Sequence, residues 1–187
     1  MRFSEIKLAG AKVIDPNPHE DGRGRFMRAW CVREFATHGL DFVPVQANIG
    51  FSICKGTIRG LHFQVAPALE AKLIRCTRGA IFDVMVDLRP ESPSYREWCG
   101  VELTAESGRM VYVPALCAHG YQTLEDNTDT SYEVGEFYTP EVESGLLHND
   151  PALGLTWPLP VTVISDKDQA FAPLRRIEDE LKRRMAC

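Results

Sequence analysis

Short apolar segments, each bounded by Gly, Pro or Asn, recur through most of this chain, and that rhythm confines it to an all-β sandwich or barrel. Residues 42–52, 72–77, 80–88, 109–113 and 130–138 are such segments, rich in Val, Ile, Phe and Tyr. In 80–88 the alternation is clear: Phe82, Val84, Val86 and Leu88 share one face, and Asp83 and Asp87 lie on the other. A wall of this kind has a packed side and a side able to carry polar groups. Helical spacing is confined to 32–38 and to 173–184, where Leu174, Ile177 and Leu181 form a stripe that is expected to pack outside the barrel. A length of 187 residues suits one buried core, and no repeat or Gly/Ser linker divides it, so a single domain over 1–187 is expected.

The formal charge of -5 argues against nucleic acid as a partner, because such binding needs cations over a broad surface. A few local cations still suffice for a small phosphorylated ligand. No apolar run approaches the roughly 18 residues that span a bilayer, so no membrane association is expected. Cys31, Cys54, Cys76, Cys99, Cys117 and Cys187 are scattered, without zinc or redox spacing. The start, Met1-Arg2-Phe3-Ser4-Glu5, lacks an apolar run behind its charge and does not read as a signal peptide. Free thiols in a reducing cytoplasm are the expected setting.

Gly56-Thr57-Ile58-Arg59-Gly60-Leu61-His62-Phe63-Gln64 with Glu70 and Gly79, then Gly108, Pro114 and His119, resemble the paired motifs of the cupin superfamily. The fold this implies is an all-β, cupin-type jelly-roll barrel with short helices at the periphery and C-terminus. Where the metal-binding pattern has a second histidine this chain has Gln64, which leaves His62, Glu70 and His119 as possible ligands. His19, His38 and His148 are far from either motif. A metal-free barrel that reuses its histidines for acid-base work is the favoured reading, with no cofactor, and a metal-dependent one stays open.

The resemblance sharpens at Arg59-Gly60-Leu61-His62-Phe63-Gln64, Lys72-Leu73-Ile74-Arg75-Cys76, Val113-Pro114 to His119-Gly120-Tyr121, Tyr132 to Tyr138-Thr139-Pro140, and Ser165-Asp166-Lys167-Asp168. Together, in order over 21–173, these are similar to the dTDP-4-dehydrorhamnose 3,5-epimerase family. The implied reaction inverts C3, C5 or both in a nucleotide-linked 4-keto-6-deoxyhexose. The ketone makes the neighbouring C–H bonds acidic, and inversion needs a base on one face, an acid on the other and donors around the enolate oxygen.

The resemblance assigns the base to His62, its partner to Asp168 and the opposed acid to Tyr132, with Lys72 assisting the phenol or the enolate. Asp83 is a second candidate for the partner of His62. Lys72 shares strand parity with Ile74 and Cys76 and so faces the lumen with them. Tyr132 and Tyr138 also share parity, on the assumption of one regular strand. Arg59 and His62 do not, and Gly60 between them permits a bulge that re-aims one of them.

For the substrate, the resemblance implies Arg23, Arg59 and Lys167 at the pyrophosphate, Tyr138 stacked on the base, His119 at the C4 oxygen, and polar contacts from Gln46, Asn48 and Glu143. It also implies a homodimer in which an N-terminal strand crosses over and residues 42–52 help form the interface. Arg28 stands where the family commonly has an acidic residue, so the nucleotide and sugar are less defined than the reaction class. C3-only inversion, a metal-dependent cupin enzyme and a non-catalytic sugar-nucleotide sensor are the competing readings.

Overall fold

The computed structural model describes residues 1–185, and Cys187 lies outside the described residues. Two antiparallel sheets face each other. One has the order β1 (Arg2–Glu5), β2 (Lys12–Asp15), β10 (Met110–Val113), β7 (Lys72–Arg78), β12 (Thr128–Val134), β5 (Gln46–Ser52). The other has the order β13 (Glu143–Gly145), β6 (Ile58–Gln64), β11 (Cys117–Thr123), β8 (Ala80–Asp87), β9 (Trp98–Thr104). A separate hairpin joins β3 (His19–Asp21) to β4 (Gly24–Phe26), and the helices are α1 (Val32–Thr37), α2 (Asp166–Gln169) and α3 (Leu174–Met185). This is the expected all-β jelly roll, with its helices at the margins.

Strand periodicity sorts the side chains into layers. On β7, Ile74 and Cys76 point inward to meet Ile81, Met85, Leu103 and Tyr121 of the facing sheet, while Leu73 points outward under Phe35, Leu40 and Phe42. On β8 both faces are covered. Ile81 and Met85 fill the interior beside Asp83, and Phe82, Val84, Val86 and Leu88 pack with Leu174, Ile177 and Leu181 of α3. The apolar face of 80–88 is thus turned toward the helix outside, and the aspartate face toward the lumen.

Two boundaries differ from the sequence reading. Strand β5 starts at Gln46, not at residue 42, because Phe42 leaves the sheet to join the α1 cluster. Strand β12 ends at Val134, after which the Gly135 amide bonds to the Ala71 carbonyl and the chain turns away. Tyr138 therefore lies outside the strand that carries Tyr132. Cys31, Cys54, Cys76, Cys99 and Cys117 are free thiols. Among the described residues, no helix is long and apolar enough to cross a membrane.

Candidate active site

One cavity of about 670 Å³ opens between the two sheets. Its lining includes His62 and Arg59 from β6, Lys72 from β7, His119 from β11, Tyr132 from β12, and Gln46 and Asn48 from β5. Tyr138, Glu143, Lys167 and Asp168 complete it from the flanking segments. Of the residues expected at the site, Arg23 alone is elsewhere. It sits on the β3–β4 hairpin, exposed, with its guanidinium on the carboxylate of Asp21, because that hairpin belongs to neither sheet. Arg28 is also outside the lining, paired with Glu34.

The parity conflict between Arg59 and His62 is resolved by a bulge. His62 pairs with His119 and Arg59 with Tyr121, so three steps along β6 oppose two along β11. Gly60 makes this possible: its φ is +111°, and a Cβ there would lie 2.6 Å from the His119 carbonyl oxygen. Arg59 is then held toward the cavity by bonds from its guanidinium to Ser52 Oγ (3.1 Å) and the Phe51 carbonyl (2.8 Å).

His62 Nε2 meets Asp168 Oδ1 at 2.7 Å, and the other carboxylate oxygen accepts the Gly60 N–H at 3.0 Å. The carboxylate is placed by the Ser165 cap, whose Oγ accepts the Asp168 N–H as α2 begins. Burial pushes the Asp168 carboxyl up, but the bonds from His62 and Gly60 outweigh it and hold the group below the usual carboxylate range. An ionised Asp168 accepts the Nε2 proton, which leaves the lone pair of neutral His62 on Nδ1. Phe171 packs edge-on against the imidazole at 5.7 Å, and Gly145 leaves room for it.

Asp83, the alternative partner for His62, instead meets His119 Nε2 at 2.7 Å. Asp83 and His119 lie on adjacent strands, and their register brings them together on the lumen side. Burial holds the Asp83 carboxyl above its usual range against the pull of His119, and its Oδ1 has no hydrogen-bond partner. Lys72 is 6% exposed and ion-paired with the equally enclosed Glu70. Burial pulls the ammonium below the usual lysine range, with Glu70 and Glu143 opposing.

His62, Glu70 and His119 are thus tied to three different partners. Among the described residues no group of three or more His, Cys, Asp or Glu is arranged to hold a metal ion.

Tyr132 enters from the sheet opposite His62. Burial raises its phenol above the usual range, helped by Tyr121 and Glu70, and Arg59 is the cation that opposes this. Of the cations expected to assist the phenol or the enolate, Lys72 is bonded to Glu70, and Arg59 is the nearby cation that acts on the phenol. At the rim, Tyr138 Oη donates to Glu143 Oε2 (2.9 Å), which also receives Lys167 Nζ (2.5 Å). Tyr121, Glu70 and Ser165 belong to this site without having been read as part of the acid-base machinery. Ser165 was the one with a local signal, since Ser-x-x-Asp at 165–168 is a helix-capping pattern.

The family model described as dTDP-4-dehydrorhamnose 3,5-epimerase matches residues 5–176. An enzyme of that name from Sinorhizobium fredii is 43% identical over 171 residues, covering 91% of this chain and 88% of its own. One from Methanothermobacter thermautotrophicus is 42% identical over 177 residues, covering 93% and 95%. The crystal structure of the Bacillus anthracis enzyme with TDP and PPi bound superposes with a TM-score of 0.90 at 39% identity, covering 92% of this chain and 99% of that one. With its jelly roll, its cavity and these relatives in agreement, the chain belongs to the dTDP-4-dehydrorhamnose 3,5-epimerase family.

Proposed function

We propose that this chain epimerises a dTDP-linked 4-keto-6-deoxyhexose at C3, C5 or both, by proton abstraction and return without a bound cofactor. The observation that carries this reading is an Asp168-oriented His62 on one sheet and Tyr132 on the facing sheet, both lining one cavity. His62 Nδ1 takes the proton from the carbon next to the ketone, and the C–H electrons move to the C4 oxygen as an enolate. Asp168 stabilises the resulting imidazolium. The Lys72 ammonium supplies positive charge and N–H donors for the enolate oxygen, with His119 beside it on the cavity wall. Tyr132 then donates its proton to the opposite face, the phenolate is reprotonated from solvent, and the His62 imidazolium releases its proton to solvent. A phenol kept above its usual range remains protonated across neutral pH, which suits a donor.

Arg59 and Lys167 meet the pyrophosphate, Tyr138 faces the base, and Gln46, Asn48 and Glu143 make polar contacts; their shared position on the cavity wall supports this. The protein works as a homodimer in this reading. Ile49, Phe51 and Ile53 are exposed along and just beyond edge strand β5, and Phe26 on the hairpin that bears Arg23 is 78% exposed. Burial of these surfaces by a second copy removes apolar area from water and gives Arg23 a route to a neighbouring cavity.

The test is incubation with dTDP-4-keto-6-deoxyglucose in D2O, read by NMR at C3 and C5. Deuterium with inversion is the expected result, and the carbon labelled reports the regiochemistry. Tight dTDP-sugar binding without any isotope entry would overturn the enzyme reading in favour of a sensor.

A further inference from the structure

Gln64 occupies the position where the metal-binding barrel motif carries a histidine, and its amide is fully used. The residue is 1% exposed at the end of β6, two positions after His62 and on the same lumen-facing side. Its Nε2 donates to the carbonyls of Ala68 (3.0 Å) and Phe137 (3.1 Å), and its Oε1 accepts the Thr139 N–H (2.7 Å). Two carbonyls require the NH2 end and one N–H requires the oxygen, so the amide has only one orientation that satisfies all three.

Two of those three contacts flank Tyr138. Residues 137–139 belong to no helix or strand, because β12 has already ended at Val134. The Tyr138 ring is anchored separately, through Oη on Glu143, whose strand register places it opposite Gln64. Gln64 holds the backbone on either side of the ring, Gln46 Oε1 accepts the Tyr138 N–H (3.4 Å), and Glu143 holds the far end of the ring.

We propose that Gln64 is a positioning residue that fixes the backbone on both sides of Tyr138, so that the ring is preorganised at the cavity rim to receive the nucleotide base. This rests on the reading that the cavity takes a nucleotide sugar. Loss of preorganisation is paid at binding, when the loop must be ordered. In that reading the Tyr138 ring meets the base and not the reacting carbon, a contact that is the same before and during the chemistry, so the loss falls on affinity and KM.

The experiment is a double-mutant cycle of Gln64→Ala and Tyr138→Ala, with dTDP affinity from calorimetry and steady-state constants for the dTDP-4-keto sugar. Gln64→Ala weakens dTDP binding and raises KM by about tenfold, with kcat within about twofold. In the Tyr138→Ala background the same substitution adds less than about twofold, because its route to the ligand is gone. Gln64→Met, of similar volume and uncharged, fills the same space but presents none of the donors that the Ala68 and Phe137 carbonyls need. It reproduces the affinity loss if Gln64→Ala proves unstable in thermal melting. Additive effects in the cycle, a loss confined to kcat, or unchanged binding in a folded variant overturns the proposal. Wild-type protein that neither binds dTDP nor exchanges deuterium instead overturns the functional reading on which it rests.

Discussion

Replacing Asp168 by asparagine changes one oxygen to an amide nitrogen, yet the surroundings force that change onto His62. The two carboxylate oxygens serve different donors, Gly60 N–H at 3.0 Å and His62 Nε2 at 2.7 Å. Asparagine has one oxygen. The Gly60 amide is buried and cannot turn, so it claims that oxygen, and the NH2 group faces His62 Nε2. The imidazole then accepts there and carries its proton on Nδ1, which removes the base's lone pair from the ring nitrogen assigned to abstraction. Restoring the active tautomer means opposing two donors, at a cost of about 1–3 kcal/mol for an unsatisfied buried group. The imidazolium also loses a charge-assisted bond worth about 1.5–3 kcal/mol. Together these place the barrier about 2.5–6 kcal/mol higher, a fall in kcat of between about 10² and 10⁴. The assay is deuterium entry at C3 and C5 under saturating substrate, alongside calorimetric dTDP affinity, which stays near wild type because Asp168 touches no part of the nucleotide in this reading. A folded Asp168→Asn protein that binds dTDP normally and turns over within threefold of wild type would refute the tautomer argument.

Tyr132→Phe keeps the base and loses the acid, so deuterium still washes into C3 while inversion drops by about 10²–10³; parallel loss of both, or of neither, contradicts the two-face assignment. Glu178 on α3 receives Tyr95, Lys182 and Arg96, and those bonds lower its carboxyl to about 2. A lowered carboxylate stabilises the fold above its unfolded pKa and stops doing so as pH falls through the folded value. Glu178→Gln therefore destabilises by about 1 kcal/mol at neutral pH, modest because Arg96 and Lys182 are half-exposed, and the difference from wild type shrinks to nothing near pH 2 in acid-unfolding curves. Burial pushes the Cys76 and Cys117 thiols up to about 11 and 12, whereas Cys54 is exposed. Alkylation of native protein at pH 8, mapped by peptide mass spectrometry, labels Cys54 while sparing Cys76 and Cys117 until denaturant is added.

Much of the barrel was legible because strand period and turn chemistry are local properties. The alternation in 80–88 appears as β8, the inward parity of Lys72 with Ile74 and Cys76 holds, and the stripe Leu174, Ile177, Leu181 does cover the outside of a sheet. The lumen residues of the motifs were legible for the same reason. Local pattern does not supply their partners, and Asp168 is named for His62 by the resemblance alone. Asp168 reaches His62 across 106 positions of sequence, and nothing local distinguishes that arrangement from Asp83 on His62.

Local pattern sufficed for the β class and for which residues of one strand share a face, since alternation and glycine placement act within a few residues. Only the tertiary structure decided which carboxylate meets which cation or imidazole. The bulge at Gly60, the adjacent-strand register that gives Asp83 to His119, the Glu70 that occupies Lys72, and the hairpin that holds Arg23 away all depend on how distant strands align. Side-chain pairing is set by that alignment, and register is a property of the assembled sheet.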